Sequence, residues 1–386
     1  MNWPLVPLGR ALRYRKEFIT IDDLKSYKRC RVQWYGQGAI IRDQVPGSEI
    51  KTKQQQVCKP HELLVAEIDA KEGGFAVVPP ELDGAVVSSH YFLFDIDTTK
   101  LIPAFLAAFL RTPAFQSQVS AQGTTNYSAV RPGHVLEYTI PLPPLPEQRR
   151  IVARVDAIAS RVAAARRLRE EAKAESLACF ISERSRRFTS LAQHGTVPLS
   201  SAAFLERGRF LHRPRNEPRF FGGQHPWIQI AEIESAKKYI TTHTATLNDL
   251  GLAISRKFPR GTLLVSIAAT IGAVGILSFD CCVPDSIVAV QPKEGVDNEY
   301  LFHWLGYVRS DLERIAPQSA QKNINLQILS ELPIPIPPLD EQRRIVSHLD
   351  ALQAKLDAVR AEQAATAAEL DALLPSVLNR AFAGEL

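Results

Sequence analysis

The chain has 386 residues, 45% of them hydrophobic and 23% charged, a composition that supports at least two cored domains and argues against disorder as the dominant state. With 46 lysines and arginines against 41 acids the formal charge is only +5, so net charge alone is a weak argument for a polyanionic partner. The five cysteines, Cys30, Cys58, Cys179, Cys281 and Cys282, form no CxxC pair and have no histidines at zinc spacing, so neither a disulfide framework nor a metal site is expected and a reducing cytoplasm fits.

Residues 1–140 read as a first domain. The opening MNWPLVPLGRALRYRK lacks the apolar core of a signal peptide, so export is not expected. Two basic runs, KSYKRCR at 25–31 and KTKQQQ at 51–56, mix cations with glutamine and tyrosine, the types that contact phosphates and base edges. A solvated loop accounts for either run as simply. GQGAII at 36–41 has two of the three glycines of a dinucleotide turn and reads as a loop.

At residues 141–162 stands PLPPLPEQRRIVARVDAIASRV, which returns 194 residues later as PIPPLDEQRRIVSHLDALQAKL at 335–356 with 12 identities in 22 positions. Weaker echoes extend the duplication: VPL at 6–8 and 197–199, ELLV at 62–65 beside TLLV at 262–265, and IPAFLAAFL at 102–110 against NEYLFHWL at 298–305. The chain therefore divides into a variable half at 1–140, a repeat at 141–190, a variable half at 191–334 and a repeat at 335–386. Each repeat starts with prolines that suit a stiff helix entry, with Pro146 in the first turn of one copy and Asp340 as N-cap of the other. Apolar residues then recur 4 and 3 apart, at Ile151, Val155, Ile158, Val162 and Ala165, and at Ile345, Leu349, Leu352, Leu356 and Val359. That is a heptad seam. It predicts helices from 146 to about Phe188 and from 340 to about Leu378, each roughly 40 residues and ~60 Å long, interrupted at matching places by Arg169 and Gln363. Residues 141–190 carry 11 cations and 6 acids, and 335–386 carry 5 and 8, so opposite charge favours pairing of the two helices with each other.

In the second variable half, RGRFLHRPRNEPRF at 207–220 and SRKFPRG at 255–261 are the basic clusters. GTLLVSIAATIGAVGILSF at 261–279 is uncharged and nearly long enough to span a bilayer, but its interior glycines and β-branched residues predict consecutive buried strands with a tight connection. Catalytic signatures are missing: there is no G-x-x-x-x-G-K-[ST], no N-P-P-[YF], no Pro-Cys and no nucleophile elbow. A non-catalytic binder is expected. An autonomous enzyme with unfamiliar motifs and a structural coiled-coil adaptor are the other classes, and an SH3-type ligand is the alternative for the prolines alone.

The doubled P-[LI]-P-P-L-x-E-Q-R-R-I-V entering a long helix, FPRGTLLVSIAATIG, NEYLFHWL and QSAQKNINLQILSELPIPIPP together resemble the specificity subunit of type I restriction-modification systems, the HsdS family. The first half departs, with DAKEGGFAVV where the second has AATIGAVGIL. The resemblance implies an α+β fold: two globular target recognition domains, mixed α/β with curved sheets, separated by two long helices in an antiparallel coiled coil, with a pseudo-twofold internal repeat. It implies a bipartite double-stranded DNA site, two adenine methyltransferase subunits that bind S-adenosylmethionine, and in a restriction-competent form motor-nuclease subunits. A methylation-only or related phage-defence system and a silent recombination cassette are the variants of this reading. No cofactor, metal or membrane is expected for the chain itself.

Candidate DNA contacts in the first domain are Lys25, Lys28, Arg29, Arg31, Lys51, Lys53, Gln54, Gln55 and Gln56, with Thr124, Thr125, Asn126 and Tyr127 of GTTNYS. In the second they are Arg207, Arg209, Arg213, Arg215, Arg256, Lys257 and Arg260, with Gln321, Lys322 and Asn323 of QKNIN. Turn chemistry explains the last segment of each set equally well. Glu147, Gln148, Arg149 and Arg150, with their copies Glu341, Gln342, Arg343 and Arg344, are candidates for holding the helix entry or a partner.

Overall fold

Both proline phrases open long helices in the computed structural model, which describes residues 3–120, 130–315 and 324–385. The first runs Leu145–Ala192 with Pro146 in its first turn. The second starts at Leu339, so Asp340 lies in the first turn and is not the N-cap. It also differs from the expected continuous helix, stopping at Ala365 and restarting as Ala367–Phe382. The interruption is Thr366, with φ −92° and ψ 3°, whose hydroxyl accepts a 2.6 Å hydrogen bond from the Arg169 guanidinium. The same hydroxyl lies 3.5 Å from the Gln363 carbonyl, a local side chain–backbone contact of the kind that bends helices.

The chain separates into two units, residues 1–170 with 363–386, and residues 171–362. In the first, a four-stranded sheet in the order Leu12–Arg15, Tyr91–Ile96, Leu63–Ala66, Phe75–Val77 is joined by a five-stranded sheet whose outer hairpin is Ser26–Val32 with Ala39–Pro46. The helix Pro103–Leu110 covers the core, where Phe105, Phe109 and Phe115 pack with Ile151 and Val155 of the long helix and with Leu378 and Phe382 of the last one. Phe382 stands 4.9 Å from Phe105 and 5.1 Å from Phe109, ring centre to ring centre. Arg166 pairs with Asp371 at 2.5 Å while Ile151 shares a core with Leu378, so the two helix segments of this unit run antiparallel.

In the second unit the five-stranded sheet runs Ala203–Arg207, Ile287–Pro292, Leu263–Ser266, Val274–Leu277, Tyr239–Ile240, beside a four-stranded sheet that includes Phe221–Trp227. The apolar stretch 261–279 is the hairpin Leu263–Ser266 with Val274–Leu277, Leu263 opposite Ile276. Gly272 takes φ +74°, and a β-carbon there would sit 2.9 Å from Arg309. The divergent DAKEGGFAVV makes the same hairpin in the first unit, Leu63 opposite Val77. Among the described residues no helix is long and apolar enough to cross a membrane. Helix Asn298–Ile315 packs Tyr300, Leu301 and Trp304 against Phe188 and against Ile345 and Leu349. The seam stays buried or half-buried through Leu352 and Leu356, but Val359 is 50% exposed. A 4-3 spacing drifts around a helix of 3.6 residues per turn, and Arg360 is the half-buried neighbour instead.

The weak sequence echoes occupy equivalent elements. Leu5–Pro7 pairs with Thr139–Pro141, and Val197–Pro198 with Pro333–Ile334, each a short antiparallel bridge next to a proline entry. The strongest equivalence is polar. Gln148 and Gln342 are both 0% exposed. Gln148 accepts from the Ile102 N–H at 2.8 Å and donates to the carbonyls of Lys100 at 2.8 Å and Pro143 at 2.9 Å. Gln342 accepts from the Asp297 N–H at 2.8 Å and donates to Gly295 at 2.9 Å and Pro337 at 2.8 Å. One side chain thus ties the proline loop, the repeat helix and the start of the domain helix. Each buried backbone group left unpaired costs about 1–3 kcal/mol, so Gln148→Leu is expected to destabilise the first unit, and Gln342→Leu the second, by at least ~2 kcal/mol. Calorimetry of the two variants checks this through which unit's transition moves.

Candidate nucleic-acid interface

In the first unit the candidate cations lie along the outer hairpin and its neighbours. A bulge at Arg29/Cys30 sets Arg29 opposite Asp43, and the guanidinium grips that carboxylate at 2.6 and 2.7 Å. The hydrogen bond from Arg29 holds the Asp43 carboxyl below the usual range even against its desolvation. Lys25 pairs with Asp22 at 3.5 Å, Lys53 with Asp23, and Lys28 reaches the Glu81 carbonyl at 3.4 Å. The side chains of Arg31 and Lys51 are exposed and make no polar contact with another described residue.

The three glutamines separate. Gln54 is exposed and donates to Thr20 at 2.9 Å. Gln55 and Gln56 are buried, 6% and 1% exposed, with their amides on the carbonyls of Thr52 at 2.7 Å and Tyr91 at 2.7 Å. As arranged, neither reaches the surface. Trp34 and Tyr35, 53% and 62% exposed at the hairpin tip, are surface aromatics that the basic run immediately before them could have pointed to. Thr124, Thr125, Asn126 and Tyr127 lie outside the described residues, as do Gln321, Lys322 and Asn323.

In the second unit five candidate arginines converge. Gly208 lets the end of strand Ala203–Arg207 pass against the backbone of Pro284, where a β-carbon would meet the carbonyl oxygen at 2.2 Å. That approach brings the loop at 209–217 beside Asp285, whose carboxylate receives Arg213 at 2.8 Å and also Arg215, while its carbonyl receives Arg207. Arg209 donates to the Ser255 carbonyl at 3.0 Å, and Arg256 to the Arg207 carbonyl at 3.0 Å and to Glu206 at 2.8 Å. Five guanidiniums therefore share two carboxylates, and the edge is electropositive. Lys257 faces Asp280 at 3.2 Å, and Asp280 is lowered by the Arg260 backbone N–H and then by that lysine. The Arg260 side chain is exposed.

Beside this edge opens a cavity of about 590 Å³, lined by Arg215, Trp227, Gln229, Thr242, Thr244 and Ser286 among others. It offers hydrogen-bonding groups behind a cationic rim. The sequence reading did not single out Asp285, Trp227 or Gln229, which the fold gathers from separate segments. Because exposed ion pairs contribute little to stability, roughly 0–1 kcal/mol, Asp285→Asn is expected to leave melting nearly unchanged while loosening the loop. Limited trypsin digestion checks this by faster cleavage after Arg215.

Comparison with known proteins shows what this geometry resembles. Residues 212–365 match the type I restriction modification DNA specificity domain. The chain is 28% identical over 157 residues to the type I restriction enzyme EcoDI specificity subunit of Escherichia coli, covering 40% of this chain and 35% of that one. Across three curated specificity subunits, the aligned part spans 24 to 35% of their length. Similarity to solved structures runs the full length. The HsdS subunit from Thermoanaerobacter tengcongensis is 25% identical with a TM-score of 0.65, covering 100% of this chain and 97% of that one. A chain solved in work on complex assembly and conformational transition of the type I R-M system is 26% identical with a TM-score of 0.75, covering 100% and 98%. The mixed α/β units, the duplicated helix entries and these matches agree: along its whole length the chain is similar to type I restriction-modification specificity subunits.

Proposed function

We propose that the chain is the non-catalytic DNA-reading subunit of a type I restriction-modification complex, each recognition domain reading one half of a bipartite site. The observation that carries the reading is the arginine edge around Asp285 with its concave polar neighbour. Guanidiniums on such an edge hold phosphates and set register, and hydrogen-bonding groups behind them discriminate base edges. In the first domain Lys25, Arg31, Lys51 and Gln54 are the exposed candidates for the same work. Two adenine methyltransferase subunits, which bring S-adenosylmethionine, dock on the chain, and one flips the target adenine into its own pocket. Motor-nuclease subunits join in a restriction-competent assembly.

The test is the salt dependence of binding to duplex DNA that carries the chain's methylated site. Arg213→Ala combined with Arg215→Ala is expected to weaken binding to all sequences alike and to make the plot of log affinity against log salt shallower by roughly 1 to 2. Gln229→Ala should instead relax discrimination at one base pair with the slope kept. Binding isotherms at several salt concentrations distinguish these outcomes, and an unchanged slope for the double arginine variant would remove this edge from the interface.

A further inference from the structure

The two units solve one packing problem differently. In the second, Lys238 inserts its ammonium between Asp350 at 2.6 Å and Glu299 at 2.8 Å. His303, 2% exposed, closes on the other oxygen of Asp350 at 2.8 Å. Two turns further along the repeat helix, Lys237 pairs with Asp357 at 2.8 Å. The segment before strand Tyr239–Ile240 is thereby fastened to the repeat helix by two lysines.

The duplication identifies the same positions in the first unit. Counting from the glutamine contacts at Ile102 and Asp297, Glu299, Phe302 and His303 correspond to Ala104, Ala107 and Ala108. Counting along the repeated phrase, Asp350 corresponds to Asp156, Gln353 to Ala159 and Asp357 to Ala163. Every large or charged member of the cluster is reduced to alanine except the aspartate. Between the paired strands, where the second unit carries the α-helix Ile230–Ser235 and the lysines that follow it, the first has only the short hairpin tip with Gly36, Gln37 and Gly38.

The result is an open groove of about 690 Å³, lined by Ala104, Ala107, Ala159, Ala163 and the hairpin tip, with Asp156 on its wall. The Asp156 carboxylate makes no hydrogen bond or ion pair with another described residue. The cations nearby do not serve it: Arg166 is paired with Asp371 at 2.5 Å, and Arg111, also on the groove, forms no ion pair among the described residues. The space exceeds one side chain, its floor of alanines allows a backbone to approach closely, and its free carboxylate is the repeat copy of one that takes a lysine within the same chain.

We propose that this groove is a docking site for a lysine- or arginine-bearing segment of a methyltransferase subunit, which supplies from outside what Lys238 supplies from within in the second unit. The proposal rests on the function proposed above. It makes the two docking faces of the repeat unequal, because one is completed by the chain itself and the other by its partner.

The experiment titrates the full chain with the purified methyltransferase subunit, reading stoichiometry by native mass spectrometry and affinity by calorimetry. Wild type is expected to bind two equivalents. Asp156→Asn should weaken one of the two by about tenfold or more, and Ala159→Trp, which fills the groove at a half-exposed position, should abolish it, with DNA affinity of the chain unchanged for both. Asp350→Asn serves as the contrast, since it breaks an internal contact and lowers the melting temperature of the second unit. Two equivalents bound with unchanged affinities by both groove variants would overturn the proposal while leaving the DNA-reading function intact. Loss of DNA affinity with methyltransferase binding unchanged would overturn it as well, in favour of a nucleic-acid contact. A wild-type chain that binds DNA but no methyltransferase would contradict the broader reading and the proposal together.

Discussion

Gln148 and Gln342 are held at zero exposure where backbone groups of three segments converge, and the reason is the cost of leaving those groups dry and unpaired. Prolines before each helix provide rigidity but no N–H of their own, so the loop that carries them cannot close a regular ladder against its neighbours. A primary amide can, because it offers an acceptor and two donors at once. With the amide in place, the domain helix starts beside the repeat helix in both units, and the aromatic clusters around Phe105 and Tyr300 form on that frame. Neither arginine edge nor groove would keep its position if the domain helix shifted.

The same frame carries different chemistry in its two copies. In the second unit a lysine between two carboxylates and a buried histidine close the space beside the domain helix. Burial alone would raise the Asp350 carboxyl, yet hydrogen bonds from His303 and Lys238 bring it below its ordinary value. The first unit meets the same helix with alanines and leaves the space open. A duplicated architecture thus carries one filled space and one open one beside the same domain helix.

The repeat, its helices and the hairpin at 261–279 could be read from sequence because each depends on local periodicity. Ile151, Val155, Ile345 and Leu349 follow a 4-3 spacing that tertiary structure does not override. Thr366 was not readable as a helix break: threonine is tolerated inside helices, and its partner Arg169 is 197 residues away. Gln148 and Gln342 look like solvated first-turn residues until the backbone they satisfy is known. KTKQQQ reads as a polar surface run, yet Gln55 and Gln56 lie in a strand whose amides turn inward to carbonyls. The clustering of Arg207, Arg213 and Arg215 follows from a close backbone pass at Gly208 and from Asp285, more than 60 residues further along the chain. Long-range register, which sequence pattern does not encode, decided each of these.

The central claim is that each variable half reads its own part of the DNA site on a shared, duplicated frame. Its most direct test replaces residues 191–334 with the matching segment of a relative of different specificity and maps methylated sites genome-wide in cells that also supply the methyltransferase. The account predicts a hybrid site in which one half-sequence changes and the other is kept. Methylation at sites with both half-sequences altered, from a folded and active hybrid, would contradict it.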